Sequence, residues 1–265
     1  MKFAIDAGHG NETPGKRSVD GSLREFHFNN VVALEITRIL RMEYGQEVIN
    51  PYDVSGRIDT PLNTRVQRAN AAKVDAFISI HANAAGSGWN SAEGIETFIY
   101  NQGAQPTSLA LAANVQTAMI RETGRRNRGV KRANYAVLRQ TNMPAILVEA
   151  GFMTNKAENE MLKSDKYRKQ IARAVVNGIA ATYNLKPLKK AAQTAPVKTS
   201  EVGGVSTMEK YFNPSGATRE AVISQLKKWE AQGLHDMHRK NLEKGALTME
   251  QAIGLLYVAH DRGYK

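Results

Sequence analysis

The chain has no cysteine among its 265 residues. Disulfides and thiolate metal sites are therefore excluded, and any metal must be held by histidine and carboxylate. A cysteine-free chain also suits either redox compartment. No run of about 18 apolar residues occurs, so no membrane-spanning helix and no membrane partner are expected. A single lysine precedes the apolar run from Phe3, and the longer apolar region and cleavage site of a secretory signal are missing. The expectation is a protein made in the cytoplasm without the usual export route. Residues 186–206 lack aromatics and are dominated by Pro, Gly, Lys and small polar side chains, which reads as a linker.

What is present is an excess of positive charge. The formal net charge is +11. It divides into +6 over residues 1–185, +3 over 186–206 and +2 over 207–265. A spread excess of this kind attracts polyanions such as nucleic acid, anionic lipid or acidic wall polymers. The densest run, Arg125-Arg126-Asn127-Arg128 followed by Lys131-Arg132, has only Tyr135 near it as a stacking aromatic. A nucleic-acid partner is not expected on that pattern. The run is expected to face acidic peptide or wall polymer instead.

Residues 1–185 alternate strand-like and helix-like segments. Strands are expected at Lys2–Ala7, Glu47–Asn50, Asp75–Ile80, Gly94–Tyr100 and Ala145–Glu149. Helices are expected at Leu23–Met42, from Pro61 to Ala72, and at Ser108–Glu122, Asn155–Lys163 and Asp165–Tyr183. Ser22 with Glu25 resembles a capping box, and Gly45 is a stop. The fold class is α/β: a twisted, mostly parallel sheet covered by helices on both faces. Residues 207–265 read as a small all-helical C-terminal module.

Two segments repeat one design: Ile5-Asp6-Ala7-Gly8-His9-Gly10 and Ile78-Ser79-Ile80-His81-Ala82-Asn83. Each apolar run delivers a histidine beside small residues. Two neighbouring strand ends of this kind bring two imidazoles together, as a zinc site requires. Glu25, at the start of the first helix, is either a third ligand or an acidic residue favouring a helix N-terminus. Glu149 follows a wholly apolar strand, where a carboxylate is costly unless it is paired or functional. It is a candidate general base and acid, with a buried ion pair as the alternative. Asn83 is a weaker candidate for a substrate carbonyl, Arg128 for substrate binding, and Asn155 is read as a helix cap.

These motifs together resemble the amidase-3 family of zinc N-acetylmuramoyl-L-alanine amidases. The resemblance rests on Asp6–Gly10, Glu25, Phe77–Asn83 and Leu147–Asn155, with Arg65, Arg68-Ala69-Asn70, Arg128–Lys131, Val137–Arg139 and Met143–Ala145 in the same order. It implies that His9, Glu25 and His81 bind Zn2+ and that Glu149 is the catalytic carboxylate. The implied substrate is the amide between N-acetylmuramic acid and L-alanine in peptidoglycan. Ala7 stands where the family usually has Pro, and Asn11 where it has a second Gly; neither change removes a ligand. The region from Leu226 to Leu256 loosely resembles S-layer-homology-like wall binders. Residues 207–265 are therefore expected to bind peptidoglycan or secondary wall polymers, with self-association as the alternative. The whole pattern fits a phage or prophage endolysin released through holin-type pores onto a Gram-positive wall. A sporulation or autolysin amidase, and a zinc peptidase cutting a stem-peptide bond, are the alternatives.

Overall fold

The computed structural model describes residues 1–188, together with 223, 224 and 226–228. Contacts divide the chain into Met1–Lys189 and Lys190–Lys265. The described residues of the second unit are helical. The rest of the expected linker and of the expected module lies outside the described residues.

The first unit is built on a six-stranded sheet ordered β2-β1-β3-β6-β4-β5. Its strands are β1 (Lys2–Ala7), β2 (Glu47–Ile49), β3 (Ala76–Asn83), β4 (Ile95–Tyr100), β5 (Asn127–Ala133) and β6 (Ala145–Phe152). All neighbours run parallel except β4 and β6, which are antiparallel. The helices are α1 (Glu25–Tyr44), α2 (Leu62–Ala71), α3 (Pro106–Thr123), α4 (Ala136–Arg139), α5 (Lys156–Lys163) and α6 (Asp165–Tyr183).

Alternation along the strands sorts the side chains onto two faces. Phe3, Ile5, Ile78, Ile80, Ile146 and Val148 are completely buried on one face, where α1 and α3 pack and α6 packs against both. The α3–α6 approach is close because Gly178 has no side chain; a Cβ there would overlap the backbone of Val115. On the opposite face Ala4, Phe77, Ala145 and Leu147 meet Val66 and Ala69 of α2 and Val137 and Leu138 of α4. The same alternation carries Asp6, Ser79, His81 and Glu149 onto this second face, nearer the strand ends; Asp6 pairs with Ser79 and His81 with Glu149. The second face thus changes from apolar to polar as the strands rise. In an open α/β sheet that end holds the ligand crevice.

Several boundaries differ from expectation. β3 continues past His81 to Asn83 and β6 past Glu149 to Phe152, so both residues lie within strands. Helix α1 begins at Glu25, and its N-cap is Arg24 with no side-chain cap bond. Ser22 does not cap it; its hydroxyl instead accepts from Asn159 Nδ2 at 3.1 Å. The basic run from Asn127 onward lies on the edge strand β5, which was not expected, with Arg125 and Arg126 just before it; charged side chains on an edge discourage pairing with other chains. Gly45 does end α1, in the left-handed region at φ 65°. Asn155 caps α5, accepting from the N–H of Ala157 at 3.0 Å and of Glu158 at 3.2 Å. Past the expected domain end at 185, Leu188 N–H still bonds to Glu43 O at 2.7 Å.

Candidate active site

His9 sits in the turn that leaves β1, with φ at 66°. A histidine tolerates this left-handed conformation better than most residues, yet it still costs energy and must be held. Three bonds hold the turn. Gly8 N–H donates to Ile80 O at 3.0 Å. Asn29 Nδ2 donates to Gly8 O at 3.1 Å, and Arg65 Nη2 donates to His9 O at 2.8 Å. Arg65 is completely buried and uses every donor. It also reaches Asp6 Oδ1 at 2.7 Å, Thr60 O at 2.7 Å, Asp59 Oδ1 at 3.2 Å and Ala7 O. Ser79 Oγ donates to the other Asp6 oxygen at 2.7 Å.

His81 lies on β3 where the register with β6 shifts, between His81 and Asn83. Such an irregularity re-aims a side chain. Its ring occupies the space a side chain on Gly8 would fill, so Gly8 forms the floor of the site. Glu25 opens α1, buried, with Oε1 2.9 Å from His81 Nδ1 and Oε2 3.2 Å from His9 Nε2. The two imidazole rings stand perpendicular, at 89°, with centroids 5.0 Å apart. One donor atom from each of His9, Glu25 and His81 lies within 4.8 Å of the others, a spacing that could hold a metal ion. Burial alone would raise the Glu25 carboxyl, but hydrogen bonding to His81 and His9 and their charge bring it below the usual range.

Glu149 stands beside His81 in register on β6. The residue is only partly buried, yet its Oε2 is out of contact with solvent and has no hydrogen-bond partner among the described residues. Burial pushes this carboxyl well above the ordinary range, and the Glu25 and Glu96 charges push it further. A cleft of about 430 Å³ opens over the group, lined by His9, His81 and Glu149 and walled by Lys16, Leu62 and Tyr135 among others.

A model of the Amidase_3 family, described as N-acetylmuramoyl-L-alanine amidase, matches residues 3–181. The chain belongs to the Amidase_3 family. It is accordingly an N-acetylmuramoyl-L-alanine amidase, a hydrolase acting on peptidoglycan. A sporulation-specific N-acetylmuramoyl-L-alanine amidase of Bacillus subtilis is 32% identical over 186 residues, covering 70% of this chain and 69% of that one. The endolysin of Bacillus phage SPP1 is 33% identical over 198 residues, covering 73% and 69%. The crystal structure of an N-acetylmuramoyl-L-alanine amidase from Clostridium difficile 630 superposes with a TM-score of 0.65 at 32% identity, covering 69% of this chain and 97% of that one.

The amidase brings His9, Glu25, His81 and Glu149 to one place. Asn83 and Arg128 are engaged beside it instead. Asn83 Nδ2 donates to Glu96 Oε1 at 2.8 Å, and Arg128 Nε and Lys131 Nζ reach Glu96 Oε2 at 2.5 Å each. Arg128 also lies over the Phe152 ring, 4.8 Å from its centroid. Arg125 pairs with Glu158 at 3.1 Å and Arg126 with Glu93 at 3.8 Å. Much of the basic run is therefore matched by acid within the amidase. Lys16, Tyr135, Asn29 and the Arg65–Asp6 pair received no site role from the sequence. Asp6 and Arg65 carried a signal there only as part of the family resemblance, Asp6 in the first histidine motif and Arg65 on the helix before the second histidine strand.

Proposed function

We propose that the amidase binds one zinc ion through His9, Glu25 and His81, and that Glu149 moves the proton in hydrolysis of the N-acetylmuramic acid–L-alanine amide. The observation that carries this reading is the unpartnered Glu149 Oε2 beside the His–Glu–His group. The donor set fits zinc: two imidazole nitrogens and one carboxylate oxygen, with no sulfur, leave a fourth position open. Zinc bound there supplies Lewis acidity to the scissile carbonyl and to a water molecule. The chain's own residues do the rest. Glu149 takes a proton from the attacking water and delivers it to the departing alanine nitrogen, so the products are a lactyl carboxylic acid and a free L-alanine amine. A raised Glu149 pKa favours the delivering, protonated form. Arg65 and Asn29 hold the His9 turn and Glu25 in place.

The biological setting we infer is that of a phage or prophage endolysin acting on a Gram-positive wall, with residues 207–265 as a wall-binding module joined through 186–206. The likeness to the SPP1 endolysin over 73% of the chain supports it. The sporulation-specific relative over 70% supports the alternative of a bacterial amidase. Treating purified walls tests the chemistry. New L-alanine amines with intact sugar–lactyl ends are expected, abolished by chelator and restored by zinc. Chelator-resistant activity would overturn the metal assignment, and new amines on any other residue would favour a stem-peptide peptidase.

A further inference from the structure

Among the described residues, two groups lining the cleft are unmatched: the Lys16 ammonium and one Glu149 oxygen. Asp6 and Asp59 both pair with Arg65, and Glu25 is shared by His9 and His81. Glu149 leaves one oxygen unpaired. Lys16 lines the same cleft, and its ammonium makes neither ion pair nor hydrogen bond among the described residues. Its place is fixed although its side chain is exposed. Lys16 O accepts the Glu25 N–H at 3.0 Å, and Lys16 N–H bonds to Thr13 O at 3.4 Å. The lysine stem therefore starts one hydrogen bond from the backbone of Glu25, and its charge reaches Glu149.

In peptidoglycan the residue after L-alanine is a glutamate linked through its side chain. Its α-carboxyl is charged when free and neutral when amidated. That group lies roughly 5–7 Å from the scissile nitrogen in an extended peptide, and Lys16 and Glu149 line one cleft. We infer that Lys16 receives this carboxylate and makes the amidase prefer stem peptides in which it is free. The inference rests on the amidase reading above and names the substrate form within it. Arg125, Arg126 and Arg128 of the basic run, which the sequence alone suggested for an acidic peptide, are occupied by Glu158, Glu93 and Glu96.

The test uses two soluble muropeptides that differ only in the free or amidated α-carboxyl, with kcat and KM measured separately for the full chain. Wild type is expected to favour the free acid by roughly three- to tenfold, mostly in KM. The preference should shrink as salt is raised, because the charge on Lys16 is exposed. Lys16→Arg should keep the ratio, Lys16→Gln should bring it near one, and Lys16→Glu should invert it. A ratio unchanged in Lys16→Gln, or no preference in wild type, overturns the inference alone. Failure to cut either muropeptide at the lactyl–alanine bond overturns the amidase reading and the inference together.

Discussion

Glu96 on β4 and Glu149 on β6 are register partners across one antiparallel pair, on one face of the sheet. Their surroundings are opposite. Glu96 accepts from Asn83, Arg128 and Lys131. Burial would raise its carboxyl, but the bonds from Lys131 and Arg128 outweigh burial and leave it lowered. Glu149 has an oxygen with no partner, and burial raises it. The fold had cations within reach and spent them on the neighbour. A saturated buried carboxylate is a structural part, because its charge is already compensated. An unsaturated one beside a metal-type cluster costs stability and persists where chemistry uses it.

Substitution separates the two carboxylates. The largest effect is expected from Glu149→Gln, which should cut wall hydrolysis by about 10²–10⁴-fold without lowering the melting temperature of metal-free protein. A melting temperature that falls sharply would make Glu149 structural after all. Next is the metal. Zinc at 100 times its dissociation constant should stabilise the chelated protein by about 2.7 kcal/mol. Glu25→Ala should abolish that gain in a thermal melt, and a gain that persists would place the ion elsewhere.

Glu96→Gln should act the other way, costing stability by about 1–3 kcal/mol, since it strands a lysine and an arginine that are only partly solvated. Denaturant unfolding reads this directly. The two carboxylates should also show opposite pH dependence in chelated protein. Glu96 has a lowered folded pKa, so its contribution is present above its ordinary 4.5 and lost as pH falls. Glu149 has a raised one, so it destabilises increasingly as pH climbs above 4.5. The cost of Glu96→Gln should therefore grow from pH 3 to 7, while Glu149→Gln should gain over the same range. Parallel slopes would remove the contrast. The smallest effect is expected from Asn155→Ala, about 1 kcal/mol from the lost cap on α5, with wall hydrolysis little changed.

Much of this contrast was legible in the chain. β1 and α6 follow directly from their apolar patterns, and Gly45 and Asn155 mark helix ends by local chemistry. The two histidines are expected at neighbouring parallel strand ends; β1 and β3 are parallel neighbours, with His9 in the turn after β1 and His81 inside β3. Three features were not legible, each for a physical reason. β5 reads as Asn-Arg-Gly-Val-Lys-Arg-Ala, without apolar alternation, because an edge strand partly open to solvent needs little of it. The continuation of β3 and β6 past His81 and Glu149 depends on an irregular pairing between strands far apart in sequence. The pairing of the basic run with Glu93, Glu96 and Glu158 is likewise tertiary, so a solvated patch and a neutralised network look alike in a linear chain. Ser22 with Glu25 satisfied the capping pattern, yet Glu25 was committed to His9 and His81.

Gly8 has a consequence for how such enzymes decay. Its hydrogen atom leaves the space in which the His81 ring lies, and any larger residue must push that ring aside. A descendant that retained His9, Glu25, His81 and Glu149 but acquired alanine at position 8 would pass every check for acid, base and ligand while having lost the pocket between them. Surveys that sort working copies from relics by those four letters alone would miscount, and a fifth letter, the smallest, belongs in the test.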